Sequence, residues 1–378
     1  MEFDTALRTT EFDAFYTFNP ARLMRATRDF VEGFPGSVLY AVKANPLPQV
    51  ISSVRAAGVA GFDVASIAEA LLVQAEAPGA RSWFMNPAKS RRDIERAWRE
   101  LGLRDFVVDC AAELDKLLEV LPTGEPSLRV HVRFHSGASD ALYDLNSKFG
   151  ASHEETLRLL QRIAAQTAWS SGLAFHPGSQ TISIEPYLTA MQTAARLIER
   201  ADARVASLDI GGGFPARYDN MPMPPPAALL QRLGEFVASC ATLKRVELLC
   251  EPGRVLAYDC MSLFARVILR KDRALYCGAG IFGGLLPAQQ FFQLPVRAWR
   301  GGEPIDDATA GGQREFVVFG PTCDSNDRLA FPYALPEHLR EGDWIEFQHV
   351  GAYSESVRCA FNGFSVDHLV TLDAHEAG

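Results

Sequence analysis

The sequence has no CxxC pair, no Lys/Arg-rich block and no apolar run approaching the roughly 18 residues of a membrane span. Its seven cysteines are scattered and odd in number. This points to reduced thiols in a cytoplasmic protein rather than a disulfide framework, and no metal site is expected. The net charge of -9 argues against nucleic-acid binding. The N-terminal stretch MEFDTALRTTEFDAF carries acids and lacks the apolar core of a secretory signal. Repeats, low-complexity tracts and long linkers are also missing. What remains is ordinary for a globular protein, at 48% hydrophobic and 22% charged residues. A length of 378 residues accommodates one large domain and one smaller one.

From about Pro20 to Tyr258, short apolar runs alternate with amphipathic stretches. Strands are predicted over Val38–Val42, Gly61–Val64, Ser82–Met85, Phe106–Val108, Arg129–Phe134, Gly172–Phe175, Ser207–Ile210 and Glu247–Cys250. Helical patterns between them include Pro20–Phe34, Ile67–Glu76, Ser90–Leu101, His153–Ala168, Ile184–Ala201 and Pro226–Cys240. Eight strand–helix units point to an α/β fold, a (β/α)8 TIM-like barrel, rather than a doubly wound sheet. After Tyr258 the pattern becomes strand-like with Gly/Pro/Asp punctuation, at Met261–Leu269, Phe291–Trp299, Glu315–Phe319 and Trp344–His349. The expected division is a barrel over 20–258 and a C-terminal β domain, sandwich or barrel, over 259–378. Residues 1–19 join the second domain through a strand at Phe15–Phe18. The MPMPPP stretch at Met221–Pro226 reads as a surface loop before a helix.

The chemistry-bearing segments fall where barrel strands should end, the face on which such barrels place their sites. Tyr40–Pro46 reads YAVKANP and delivers Lys43 to a strand end. A lysine held rigidly and partly stripped of water has a lowered pKa and can form a Schiff base, although most strand-end lysines are solvated. Leu208–Pro215 reads LDIGGGFP, where bare backbone N–H groups can approach a phosphate. A tight βα turn is the alternative, and this segment lacks the GxGxxG of a dinucleotide fold. Glu251–Arg254 reads EPGR: the carboxylate can hold a protonated ring nitrogen, while Arg254 and Gly253 can meet phosphate. An internal Glu–Arg pair would read the same way. Phe175–Gln180 reads FHPGSQ, setting His176 against an aromatic ring and offering Ser179 to phosphate, or providing a structural histidine. In Phe62–Glu69, FDVASIAE, Asp63 ends a strand, and Ser66 with Glu69 forms a capping box. Further on lie Gly320–Asp324 (GPTCD), Gly351–Tyr353 (GAY) and Phe361–Phe364 (FNGF). Cys323 can donate a proton or act as a nucleophile, Tyr353 can offer its hydroxyl to phosphate, and Phe361 can line a site or pack a core.

In identity and order these motifs resemble the fold-type-III pyridoxal-phosphate decarboxylases, the alanine-racemase-like-barrel family of ornithine, lysine, arginine and diaminopimelate decarboxylases. The resemblance runs from about Phe15 to Phe364. It implies pyridoxal 5'-phosphate as cofactor, Lys43 as the lysine bonded to it, His176 stacked on its ring and Glu251 at the pyridine nitrogen. Ser179, Gly211, Gly212, Gly213, Gly253, Arg254 and Tyr353 would hold the phosphate, with Asp63 near the cofactor. It further implies a homodimer in which Cys323 and Asp324 come from the neighbouring subunit, Cys323 protonating the product carbanion and Asp324 facing the distal end of the substrate. Phe361 would line the substrate site.

Racemases on this barrel place an arginine at the ring nitrogen, so Glu251 favours decarboxylation, in polyamine or specialised amine synthesis. Cys323 followed by Asp324 resembles the ornithine/lysine type, whereas diaminopimelate enzymes show Cys-Glu-Ser there. One expected acid is missing: Gly278 and Ala279 stand where ornithine enzymes carry the aspartate that binds the distal amine. A poor fit to ornithine and lysine, or a modified amino-acid substrate, is therefore expected, with Glu355 and Arg358 available to read a different tail. The other readings are a diaminopimelate-type enzyme, a racemase and an inactive regulatory homologue. The retained Lys43, Glu251, Arg254 and Cys323 argue against the last.

Overall fold

The computed structural model describes residues 2–145, 147–221, 223–305 and 312–372. They form two compact units, one of Met24–Ala216 with Pro224–Leu256 and one containing the N-terminal segment, Arg217–Met223 and the chain from Ala257 onward. The first strand, β1 (Ala14–Phe18), belongs to the second unit.

The first unit is a closed eight-stranded parallel barrel. Its strands are β2 (Ser37–Ala41), β3 (Gly61–Val64), β4 (Arg81–Phe84), β5 (Asp105–Val108), β6 (Arg129–Arg133), β7 (Ser170–Ala174), β8 (Val205–Asp209) and β9 (Glu247–Cys250). Strands buried on both faces read as continuous apolar runs, which is why all eight were legible. Serine caps start several of the covering helices. Ser66, Ser90 and Ser152 accept the backbone N–H groups of Glu69, Asp93 and Glu155 at 3.1–3.2 Å. The expected Ser66–Glu69 box forms, except that the Glu69 carboxylate accepts the N–H of Ala65, not that of Ser66.

Leu39, Trp83 and Leu249 pack together in one core cluster. A Cβ on Gly61 would lie 2.4 Å from the Trp83 ring, so glycine is what admits the indole. Charges gather at the strand starts: Arg81 donates twice to the buried Asp105, at 2.6 and 2.9 Å, and Arg129 pairs with Glu247 at 2.6 Å. Stabilising ion pairs thus occupy the N-terminal end of the barrel and leave the opposite end for chemistry.

The second unit is a nine-stranded mixed sheet. Its remaining strands are β10 (Met261–Lys271), β11 (Ala274–Cys277), β12 (Val296–Arg300), β13 (Glu303–Pro304), β14 (Gln313–Phe319), β15 (Tyr333–Pro336), β16 (Trp344–Phe347) and β17 (Leu369–Thr371). The order is β13-β12-β16-β10-β11-β14-β15, and β1 pairs antiparallel with β10 and parallel with β17. Phe15 stands opposite Phe264 and stacks on it at 4.8 Å, in a core with Ala6, Leu7, Trp344 and Val370. A GxGxxG spacing does occur at Gly278–Gly283, but it follows β11 in this sheet unit and opens no βαβ crossover.

Candidate active site

β2 ends at Ala41, one residue earlier than expected, because Val42–Ala44 closes a single 3-10 turn that the Asn45 N–H caps on Val42 O. The turn sets Lys43 just beyond the strand. Its Nζ donates to Asp63 Oδ2 at 2.8 Å, with the lysine side chain 43% exposed and the aspartate 2%. A half-open amine thus rests on a buried carboxylate that holds it in position.

The His176 loop and the glycine loop brace each other. Gln180 donates from Nε2 to Ala216 O at 2.5 Å and accepts the Ala216 N–H at 2.9 Å. The Thr181 N–H reaches Gly213 O at 2.9 Å, and the Tyr187 hydroxyl reaches Gly212 O at 2.8 Å. Ser179 is fixed through its backbone to Tyr143. His176 Nδ1 accepts the Gly178 N–H at 3.1 Å, which leaves the ring proton on Nε2. Burial, with the Arg133 and Lys43 cations, holds this histidine well below its ordinary pKa, so the ring is neutral.

Gly213 has φ +87°, and a Cβ there would lie 2.0 Å from Gly178 O. A Gly213→Ala variant is expected to lose about 1–3 kcal/mol from the strained φ alone. Denaturant unfolding measures this, and an unchanged midpoint would contradict the bracing described here.

Glu251 follows β9, and its N–H donates to Gly211 O at 2.8 Å. Burial and the nearby Asp209 and Asp63 push its carboxyl well above the ordinary range. Gly253 packs on Ala44, where a Cβ would approach the alanine methyl to 2.7 Å, and Arg254 is buried at the start of the turn that follows. The barrel unit therefore brings together Lys43, Asp63, His176, the three glycines, Glu251 and Gly253. Two further groups join them that the sequence reading did not select, Arg133 at the end of β6 and Asp209 at the end of β8. Their only sequence signal was a charge closing an apolar strand, which Asp63 shares.

Cys323, Asp324, Tyr353 and Phe361 belong to the sheet unit. The exposed Cys323 donates from Sγ to Asn362 Oδ1 at 3.3 Å, and its backbone N–H reaches the same oxygen at 3.2 Å. Asp324 Oδ1 accepts the Asn326 N–H, and Phe361 packs on Phe282 with centroids 5.0 Å apart. Tyr353 has φ +56°. Gly278 has no room for a side chain, since a Cβ would lie 2.1 Å from Asp13 O, and Ala279 is buried. The nearby Asp327 is buried and accepts from Ile281 N, Thr322 N and Thr322 Oγ1. Arg358 pairs with Glu355 at 3.5 Å and with Asp367 at 3.1 Å.

The barrel residues fit pyridoxal phosphate: an accessible primary amine, bare glycine backbone, a neutral imidazole and a buried acid beside a carboxyl oxygen that has no N–H or hydroxyl donor among the described residues. Among the described residues, no cluster of three or more His, Cys, Asp or Glu could hold a metal, and no helix is long and apolar enough to cross a membrane.

Residues 21–258 match the family model described as the pyridoxal binding domain of pyridoxal-dependent decarboxylases. The chain is 33% identical over 352 residues to Decarboxylase flvG of Aspergillus flavus, covering 87% of this chain and 78% of that one. It is 31% identical over 338 residues to the lysine/ornithine decarboxylase of Selenomonas ruminantium, covering 86% and 81%. The crystal structure of the Paramecium bursaria Chlorella virus arginine decarboxylase superposes with a TM-score of 0.85 at 25% identity, covering 98% of this chain and 99% of that one.

Proposed function

Since the chain belongs to the pyridoxal-dependent decarboxylase family and is a pyridoxal-phosphate-dependent amino-acid decarboxylase, we propose that its substrate is an ornithine- or lysine-like amino acid with a modified distal end. The observation that carries this is the missing acid: Gly278 is walled off by Asp13, Ala279 is buried, and Asp327 is spent on the Ile281 and Thr322 donors. A free ammonium at the substrate tail would lose one charge-assisted hydrogen bond of about 1.5–3 kcal/mol. Arg358, between Glu355 and Asp367, supports a tail with groups other than an ammonium. A CO2-release screen across amino acids tests the reading. Turnover of ornithine or lysine at ordinary efficiency, with no better substrate, would refute it.

The bound coenzyme supplies an aldehyde for the substrate amine and a ring that accepts the electrons left when CO2 departs. This chain supplies the rest. Asp63 orients the Lys43 amine, neutral His176 offers a flat face without a competing charge, and Glu251 holds a proton at the ring nitrogen. Ser179, the three glycines, Gly253 and Arg254 would hold the coenzyme's phosphate.

Cys323 and Asp324 are assigned to the site of a second copy, Cys323 delivering the final proton from Sγ. If so, Lys43→Ala and Cys323→Ala subunits, each nearly inactive alone, should regain about a quarter of wild-type activity when mixed in equal amounts, because half the dimers then carry one intact site of two. Activity that stays at the level of the separate variants counts against a shared site.

A further inference from the structure

Asp209 is a buried titratable group beside Glu251 for which the proposed chemistry has no task. It ends β8 fully buried, with Oδ1 accepting the Gly211 N–H at 2.8 Å. Oδ2 is buried too and receives no hydrogen bond from an N–H or hydroxyl group of the described residues. Its neighbour is the Glu251 carboxyl. The backbone fixes that proximity, since Ile210 N–H donates to Leu249 O at 2.9 Å and Glu251 N–H to Gly211 O at 2.8 Å. Two carboxyl groups hydrogen bond to each other only when one carries a proton.

The surroundings favour retaining that proton. Asp63 on β3 faces the pair with another carboxylate, although its own Oδ2 is taken up by Lys43. Arg133 on β6 is the other cation facing Glu251, and Asp109 competes for it. Cys250, buried immediately before Glu251, is pushed up and stays a thiol, while His176 is neutral. The excess of acids falls when the pair holds one proton. Burial and mutual repulsion raise both carboxyls above their ordinary range, in keeping with this.

We infer that Asp209 is a positioning residue whose Oδ2 shares one proton with the Glu251 carboxyl in the coenzyme-free barrel, and that this proton passes to the ring nitrogen when coenzyme docks. The inference rests on the proposed placement of Glu251 at that nitrogen. In the transfer an O–H bond of the pair breaks and an N–H bond forms, the electron pair stays on the Glu251 carboxylate, and the total charge of ring and pair is unchanged. The ring then needs no proton from solvent.

The test compares wild type with Asp209→Asn, whose amide donates to Glu251 and keeps it a carboxylate. The probe is the 3-methyl ether of pyridoxine 5'-phosphate, which has no aldehyde and no free phenol, so the ring nitrogen is the one ring group that takes a proton. Calorimetry in buffers of different ionisation heat should find the variant taking up one proton more than wild type on binding. The ratio of wild-type to variant affinity should rise by up to about tenfold per pH unit between about pH 6 and 8. Equal proton counts and a constant ratio would overturn the inference. A second measurement needs only wild type: the coenzyme-free protein at neutral pH should show a carboxylic-acid carbonyl band in the infrared that shifts in D2O and disappears on adding pyridoxal phosphate. Absence of that band overturns the inference even if the variant does not fold. Failure of pyridoxal phosphate itself to bind refutes the coenzyme assignment instead.

Discussion

Replacing Lys43 with alanine is expected to lower kcat/KM for decarboxylation at least about a thousandfold, about 4 kcal/mol of transition-state stabilisation, and to abolish covalent retention of the coenzyme. The magnitude follows from losing the amine that rests on Asp63. Lys89 is the nearest rival, since burial lowers its pKa to about 8. Its Nζ, however, is wholly buried and donates to Asn86 O at 2.9 Å and Val107 O at 2.6 Å while pairing with Glu113 at 3.0 Å. A lysine whose three N–H groups are all engaged has no lone pair free to attack. Lys43 donates to Asp63 at 2.8 Å and is nearly half exposed, so its amine can be reached. Its loss removes the cation beside the buried Asp63 carboxylate and should cost some stability, so a folded coenzyme-free variant, shown by its circular dichroism, separates lost chemistry from lost structure.

Glu251→Gln should reduce kcat by about 10²–10³-fold, the range seen when one preorganised electrostatic group is removed from a reaction centre. The amide fills the same space but carries no negative charge to keep the ring protonated. The same change should make the coenzyme-free protein more stable. Glu251 has a folded pKa raised above its unfolded value of about 4.3, so the unfolded chain releases the proton first and the native state loses relative stability as pH rises. Glutamine does not titrate. The variant should therefore gain about 1.4 kcal/mol per pH unit on wild type above about pH 4.3, until the folded carboxyl itself ionises. Urea midpoints across pH measure this, and a variant less stable at every pH would contradict the burial argument. Lower activity with higher stability is what a strained, charge-crowded site predicts.

The barrel was legible because its eight strands are short apolar runs that stop at a charge, a glycine or a proline. Glu247–Cys250, closed by Glu251-Pro252, appears with the boundaries expected of it. Ile67–Glu76 likewise starts and stops where its capping box and periodicity indicate. The sheet unit was harder to read. β11, β15 and β17 are three or four residues long, and β11 and β17 also pair with strands distant in sequence, β14 and β1. Phe291–Leu294 was expected to be strand, yet only Val296–Arg300 pairs, because Pro295 precedes it and removes a donor from the ladder. Among the residues that the barrel unit brings together, those in unusual local motifs could be selected from the sequence. Arg133, Asp209 and Asn362 were not, since each matters only through partners across the fold: the carboxyl cluster, Glu251 and Cys323. A strand-end charge reads the same whether it faces solvent or a neighbouring carboxylate.

The most direct measurement is borohydride reduction of the purified protein loaded with pyridoxal phosphate, followed by mass analysis of its peptides. A pyridoxyl-phosphate adduct on the peptide containing Lys43, and on no other lysine peptide, is the predicted result. An unmodified Lys43 peptide, or the adduct on a different lysine, would contradict the account.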